Sequence, residues 1–452
     1  MSRFRAIDRD TDFLLPPSVQ EWLPEGHLAR YVVEVVEGLD LSALERVYAG
    51  RGSAAYPPAM LLSLLIYGYA TSTFSSRKIE RVTYDSLAFR YIACNLYPDH
   101  DTLANFRRRF GEEFQAVFVQ VLEVARENQV SRFGTVSLDG TKIKANASRH
   151  SALSYGHAET LEAQLKGEVQ ELLALAESAD STPLADGIDL PAEIRRREDR
   201  LAAIAVAKAK IEARAKERFE REQAEYRAKL ARREDPHKRT GKKPGSKPPQ
   251  PPTVGPSPKD QVNLTDEESR IMPVCGGGFE QSDNAQAVVD TESLLVLATH
   301  VSQAPNDKQQ VKPMLAQLEA LPEGLGGAQT LLADTGYYSE DNMHCCGDAG
   351  IEPLIAVKRE AHHPHWRERF EEPGERPTGA TPVETMRHTL KTKTGKARYA
   401  LRKQTVEPVF GVIKSAMGFR QFLLRGLEHV GNEWTLVCLA WNLKRMAAIR
   451  PQ

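Results

Sequence analysis

The sequence predicts an α/β fold: a mixed sheet with flanking helices, preceded by an all-helical block and interrupted by a long helical hairpin. Three observations predict it. Residues up to about 130 carry apolar residues at helical spacing. From 263 onward, short apolar runs that read as strands alternate with helical patterns. Between them, 157–236 is a charged, alanine-rich stretch with leucines at helical spacing.

Length and composition set the class. The 452 residues favour two or three domains. With 41% hydrophobic and 27% charged residues, the composition is that of a soluble globular protein. Apolar runs such as "MLLSLLIYGYA" (60–70) are too short to cross a bilayer, and the charged start "MSRFRAIDRD" has no apolar signal region. Five cysteines without a CxxC pair, two of them adjacent (Cys345, Cys346), suit reduced thiols, and a cytoplasmic location is expected. The 60 basic and 61 acidic residues balance, but 387–450 holds thirteen Lys or Arg against three acids, an excess that favours polyanions.

The helical block, drawn as 1–130, opens its clearest helix with prolines in "PPAMLLSLLIYGYATST". "SSRKIERVTYDSLAFRYIACN" reads as one helix capped by Ser75 or Ser76. "DHDTLANFRRRFGEEFQAVFVQVLEVARENQ" reads as two helices broken near Gly111, with Asp101 or Thr102 as the first N-cap. Arg107, Arg108 and Arg109 end that first helix, which suits either a DNA-reading helix or a core helix with basic solvent positions. Next, "TVSLDGTKIKANAS" reads as the first strands of the sheet (131–156), turning at Asp139-Gly140. The hairpin (157–236) repeats Leu161, Leu165, Val169 and Leu172. Its second helix, 192–234, would extend roughly 65 Å at about 1.5 Å per residue. A basic Pro/Lys/Gly-rich linker is expected over 237–262. The sheet resumes over 263–452 with a strand pair around Asp290-Thr291, a helix, the strand "TLLAD", the strand "PLIAVK" and two closing helices.

Two acids end apolar strands in this scheme, Asp139 and Asp334, and Glu407 adjoins the buried face of a helix marked by Val406, Phe410 and Ile413. Rigid elements are good places to hold metal-binding carboxylates. Three carboxylates converging from two strands and a helix can hold two hard divalent cations. Two such ions about 3.5–4 Å apart promote phosphodiester cleavage. A plain turn explains either Asp alone, and Asp290 and Asp307 are rival acids, with Asp290 read as a hairpin cap. Asn284 and Gln286 suit contact with DNA or a bridge between strands. "HHPH" (362–365) fits no standard zinc spacing.

These blocks resemble the DDE transposases of bacterial insertion sequences, with a ribonuclease H-like catalytic core. "YPPAMLLSLLIYGY" and "PDHDTLANFRRRF" resemble the family's helical domain, "VSLDGTKIKANAS" the first Asp block, "LLADTGYYS" the second, and "VEPVFGVIKSAMGFRQFLLRG" the Glu block. The resemblance implies that Asp139, Asp334 and Glu407 bind Mg2+ or Mn2+ and carry catalysis. A related signature, Y-x2-R-x3-E-x6-K, aligns Lys414 with Glu407. Its Arg place falls on Lys403 and its Tyr place on Ala400, while Arg402 and Tyr399 each lie one residue early. The implied DNA contacts are Lys414, Arg402, Lys403, Arg420, Arg425, Arg107 and Arg108. The implied activity is cleavage and strand transfer at terminal inverted repeats, with transposon-end and target double-stranded DNA as partners. At least a homodimer is expected on DNA, with no membrane partner, at the nucleoid when DNA-bound. A stand-alone nuclease of this fold, and a DNA-binding protein that has lost catalysis, are the alternatives.

Overall fold

The computed structural model describes residues 18–48, 55–131, 133–148, 151–178, 189–240, 248–274, 277–357, 373–374 and 379–450. Seven helices come first: α1 (Leu28–Glu37), α2 (Ser42–Glu45), α3 (Pro58–Ala70), α4 (Ser76–Asp85), α5 (Leu87–Ile92), α6 (His100–Arg109) and α7 (Glu113–Glu127). Proline at the first position of α3 supplies a preset φ where no intrahelical N–H bond is needed. Leu61, Leu62, Leu64, Leu65 and Ile66 then bury α3 on all sides, as its lack of a polar face requires. The stretch expected as one helix after Ser75 breaks at Ser86, which stands in extended conformation between α4 and α5. The N-cap of α6 is Asp99, not Asp101 or Thr102: its carboxylate accepts from the Thr102 amide at 2.7 Å.

The sheet is built on β1 (Thr135–Lys144). This strand runs straight through Asp139-Gly140, where the sequence predicts a hairpin turn. Such turns rely on left-handed glycine, and Gly140 has no positive φ. Glycine is required there for space: a Cβ would stand 2.8 Å from Asp307 Oδ1 and closer still to Gln286 Nε2. The elements β2 (Ala152–Ser154), α8 (Tyr155–Ser178), α9 (Leu190–Thr240) and β3 (Gln261–Asn263) follow and belong to a second unit. After β4 (Arg270–Pro273), β5 (Phe279–Asp290) pairs antiparallel with β1, from Val136↔Asp290 to Lys144↔Ser282. On the far side of β5 lies antiparallel β6 (Val296–Ser302). On the other side of β1, β7 (Thr330–Ala333) and β8 (Glu352–Ile355) run parallel to it, giving the order β4-β5-β1-β7-β8 with β6 also paired to β5. The expected hairpin at Asp290 forms: its Oδ2 accepts from the Ser293 amide at 3.1 Å.

Helices α10 (Val311–Glu319), α11 (Glu340–Asp348), α12 (Pro382–Lys391), α13 (Lys393–Ala400), α14 (Arg402–Ser415) and α15 (Leu427–Ile449) complete this part. Helix α15 is apolar nearly all round, with Trp434, Leu436, Val437, Leu439 and Leu443 fully buried. It covers the β6 edge directly. The Asn442 side chain accepts from the Val296 amide and donates to the Val296 carbonyl, both at 2.8 Å, so that edge has no free ladder groups at this point. Its other side packs on α3 and α7. The helical block therefore shares one core with the sheet, and one compact unit takes in the described residues up to Ala145, Met272–Gly278 and those from Ser282 onward.

The second unit is Asn146–Ile271 with Phe279–Gln281. Helices α8 and α9 run antiparallel, as three cross-pairs show: Tyr155 with Glu212, Glu162 with Lys208 and Glu168 with Arg197. Ala158, Leu165, Ile204, Ala207 and Ile211 form the seam, and Leu153 of β2 and Val262 of β3 close it. The stretch read as a flexible linker is anchored in its final part. The Arg218 guanidinium holds Asp260 through two bonds of 2.9 Å, and the Tyr155 amide donates to the Asp260 carbonyl at 2.8 Å. Proline and glycine content hid this docking, because it rests on one ion pair and a three-residue strand. Removing only 157–234 is expected to leave Leu153 and Val262 uncovered, so that variant should aggregate. Replacing 146–271 as a whole by a Gly/Ser linker should give a soluble, cooperatively melting protein; calorimetry and light scattering distinguish the two, and equal behaviour would contradict the assignment.

Candidate active site

Strand pairing brings two acids together. The parallel register of β1 and β7 ends at Ser137↔Leu332, and two residues further along each chain stand Asp139 and Asp334. Asp334 does serve the turn it begins: its Oδ1 accepts from the Gly336 amide at 2.7 Å and caps the short 3-10 turn Thr335–Tyr337. Glu407 stands on α14, whose buried face is Thr405, Val406, Val409, Phe410 and Ile413, and is linked to Asp139 only through a third residue. The link is Arg402, 13% exposed: Nη1 lies 3.4 Å from Asp139 Oδ2 and Nη2 2.9 Å from Glu407 Oε1. Burial works against the Arg402 charge, but Tyr399, Asp139, Glu407 and Asp334 outweigh it and raise its pKa.

The Y-R-E-K stretch crosses a break between two helices. Helices α13 and α14 are separate, with Leu401 as the C-cap of one and the N-cap of the next. The junction absorbs one extra residue, so Arg402 turns into the acidic centre while Lys403 is exposed. Tyr399 follows Arg402 inward and donates to the Ala333 carbonyl at 3.3 Å.

Asp139 is strongly perturbed by its surroundings. Burial raises its pKa, the Gly140 amide opposes, and the charges of Asp334 and Asp307 raise it further against Arg402, leaving it pushed up to about 7. A carboxyl that ionises near 3.8 unfolded and near 7 folded binds its proton more tightly in the folded state. Its contribution is therefore most favourable below the unfolded pKa and is lost as pH rises through about 7. Urea unfolding at pH 5 and pH 8 is expected to show a larger stability loss for the wild type than for Asp139→Asn; equal losses would contradict the burial of an ionisable group here.

A third aspartate, Asp307, stands in the same network. Its Oδ1 accepts from Asn284 Nδ2 at 2.7 Å and Gln286 Nε2 at 2.8 Å, and Lys142 Nζ is 3.6 Å away. Asn284 and Gln286 thus bind a loop carboxylate from within a fully buried stretch of β5. The sequence signal was polar side chains two apart inside an otherwise apolar strand.

The other expected site residues divide. Lys414 Nζ donates to the Lys142 carbonyl at 2.9 Å and so ties α14 to β1. Arg420 is exposed, with Nε on the Lys414 carbonyl at 3.0 Å, and Arg425 is exposed on the segment before α15. Arg108 is exposed at the end of α6. Arg107 is not available to DNA: it is 7% exposed and donates to Tyr69 Oη at 2.9 Å and the Phe74 carbonyl at 3.1 Å. The HHPH run lies outside the described residues.

In donor chemistry the centre fits a hard divalent cation, since every acidic ligand it offers is a carboxylate oxygen. Among the described residues no three His, Cys, Asp or Glu side chains are gathered as a ligand set. The Arg402 guanidinium stands between Asp139 and Glu407 and supplies positive charge there. No described helix is long and apolar enough to cross a membrane.

Comparison with known families gives two matches: the Transposase DDE domain over residues 257–443 and the Transposase domain (DUF772) over residues 17–109. No curated protein and no solved structure matches the chain. The first match covers the sheet strands after β1 together with α14, and so Asp334 and Glu407, and the second covers the helical block as far as α6; β1 with Asp139 lies outside both. The mixed sheet is thereby the ribonuclease H-like core of a DDE domain. The chain belongs to the DDE transposases of insertion-sequence type.

Proposed function

We propose that the protein binds the terminal inverted repeats of its element, cuts a phosphodiester at each end and joins the freed end to target DNA. The observation that carries this reading is the register that places Asp139 beside Asp334, with Glu407 joined to Asp139 through Arg402. Asp139, Asp334 and Glu407 would hold Mg2+ or Mn2+. The ion, when bound, supplies Lewis-acid stabilisation of charge developing on the phosphodiester oxygens. The chain's own part is to fix the three carboxylates in the middle of β1, at the end of β7 and on a helix. Arg402 balances their charge and, once displaced from them, offers a planar donor to phosphate. In the first reaction water attacks phosphorus, the bond to the 3′ oxygen breaks and a 3′-hydroxyl is released. In the second, that hydroxyl attacks a target phosphodiester, and a target 3′-hydroxyl leaves.

DNA would be held by exposed cations on this unit, Arg108, Lys403, Arg420 and Arg425, while Lys414 serves the strand it is bonded to. Pairing of two ends requires at least a dimer on DNA. Incubation of the protein with end-labelled terminal repeats, target DNA and Mg2+ or Mn2+ tests the reading: a cut at the repeat boundary and a joined product are expected. Cutting without joining would favour a stand-alone nuclease, and binding without cutting a protein that has lost catalysis. Affinity for the repeats should fall steeply with salt, as counterion release requires, and Arg420→Gln with Arg425→Gln should reduce the log–log slope by roughly 2. An unchanged slope would remove this segment from the interface.

A further inference from the structure

We infer that Asp307 is a positioning residue: gripping the amides of Asn284 and Gln286, it fixes the Gln286–Tyr337 contact that sets the Asp334 turn beside Asp139. This deepens the cleavage reading above and rests on it for its kinetic consequences.

The connections can be followed atom by atom. Asp307 enters from the loop between β6 and α10 and lays Oδ1 across Gly140, the residue after Asp139. Gln286 faces Gly140 and Asn284 faces Lys142 in the β1–β5 register, so all four share one face of the sheet. Gln286 Nε2 donates to Asp307 Oδ1 at 2.8 Å and to Asn284 Oδ1 at 3.0 Å. Its Oε1 is thereby turned the other way, where it accepts from the Tyr337 hydroxyl. A carboxylate can only accept, so Asp307 specifies which end of the Gln286 amide meets Tyr337. Tyr337, fully buried, closes the 3-10 turn that Asp334 begins. A second tie runs in parallel: Asn342 Nδ2 donates to the Tyr337 carbonyl at 2.6 Å and to the Lys308 carbonyl, next to Asp307, at 2.8 Å.

The side-chain ties that reach this turn through Tyr337 run in one largely buried polar network, and such networks weaken when one member is left unsatisfied. Without an acceptor at position 307, the Gln286 amide keeps only Asn284 Oδ1, which itself loses the Asp307 carboxylate, so the acceptor that meets the Tyr337 hydroxyl is less firmly fixed. The Asp334 carboxylate would then sit at the end of a looser turn. Displacement of a reacting group by about 1 Å costs on the order of 100-fold in rate.

The role depends on hydrogen bonding rather than charge, and that makes it separable from a fourth charged acid. An asparagine side chain keeps the Oδ1 acceptor, so Asp307→Asn is expected to behave nearly as wild type, whereas Asp307→Ala is not. Two readouts on the full-length protein test this. Amide hydrogen exchange of the metal-free protein reports the Gly336 N–H, which is bonded to Asp334. It should quicken by about tenfold or more in Asp307→Ala and Tyr337→Phe, and stay near wild type in Asp307→Asn. Steady-state cleavage of terminal-repeat DNA should show kcat lower by about tenfold or more in Asp307→Ala with KM little changed, and recovery in Asp307→Asn. Normal exchange in both Asp307→Ala and Tyr337→Phe would overturn the inference, as would Asp307→Asn being as impaired as Asp307→Ala. Should Asp307→Ala not fold, Tyr337→Phe, which deletes only the far hydroxyl, decides the exchange result. A wild type that does not cut DNA would refute the proposed function, while the exchange result would still decide the positioning role.

Discussion

Arg107→Ala is expected to destabilise the protein by about 3–5 kcal/mol, while Arg108→Ala, one residue on, changes stability by less than about 0.5 kcal/mol. Both end the same helix, and the sequence pattern treats them alike. Arg107 is buried against Tyr69, whose hydroxyl donates to Glu433 Oε1 at 2.6 Å. Glu433 Oε2 in turn accepts the Leu423 and Leu424 amides at 2.8 and 3.0 Å. Burial works against the Arg107 charge, but Tyr69 and Glu433 outweigh it and raise its pKa. Deleting the guanidinium removes the cation that faces the 1%-exposed Glu433 across the Tyr69 hydroxyl, and uncompensated buried charge is costly. Urea unfolding midpoints of the two variants give the comparison; an Arg107→Ala midpoint equal to that of Arg108→Ala would show that the network carries no net stability.

That network also helps join the helical block to the core it shares with the sheet. It joins α3, α6 and α15, and the Tyr69–Glu433 bond alone spans a sequence separation of 364. No local pattern announces such a bond. What the sequence does announce is periodicity: the buried α3, the strand pair turning at Asp290, the strand leading to Asp334 and the antiparallel hairpin all follow from apolar spacing and turn residues. The misread points share a cause. Asp139-Gly140 has turn residues, yet the glycine answers to a side chain arriving from position 307. Tyr399 and Arg402 lie one residue early for the signature, yet Leu401 between them is a joint between two helices. Asp260 sits in a Pro-rich stretch, yet Arg218 fixes it. Each depends on a partner distant in sequence or on a break in helical phase, and neither is visible in a window of a few residues.

In the acidic centre, replacing a carboxylate by its amide separates turn formation from ion binding. In Asp334→Asn the side chain can still accept the Gly336 amide, and its volume is nearly unchanged, so the strand end should fold as before. What the substitution removes is the negative charge that a hard cation requires. Asp139→Asn and Glu407→Gln should act in the same way, each folding, each binding terminal-repeat DNA and each losing cleavage by roughly 10^3-fold or more, with double variants no worse than single ones, because groups that work as one site fail together. The most direct test is the single-turnover cleavage rate of Asp334→Asn on terminal-repeat DNA in Mg2+, with DNA affinity measured alongside. The proposed site predicts wild-type affinity with cleavage reduced by roughly 10^3-fold or more. Cleavage near the wild-type rate would contradict it and leave Asp334 as the cap of a turn.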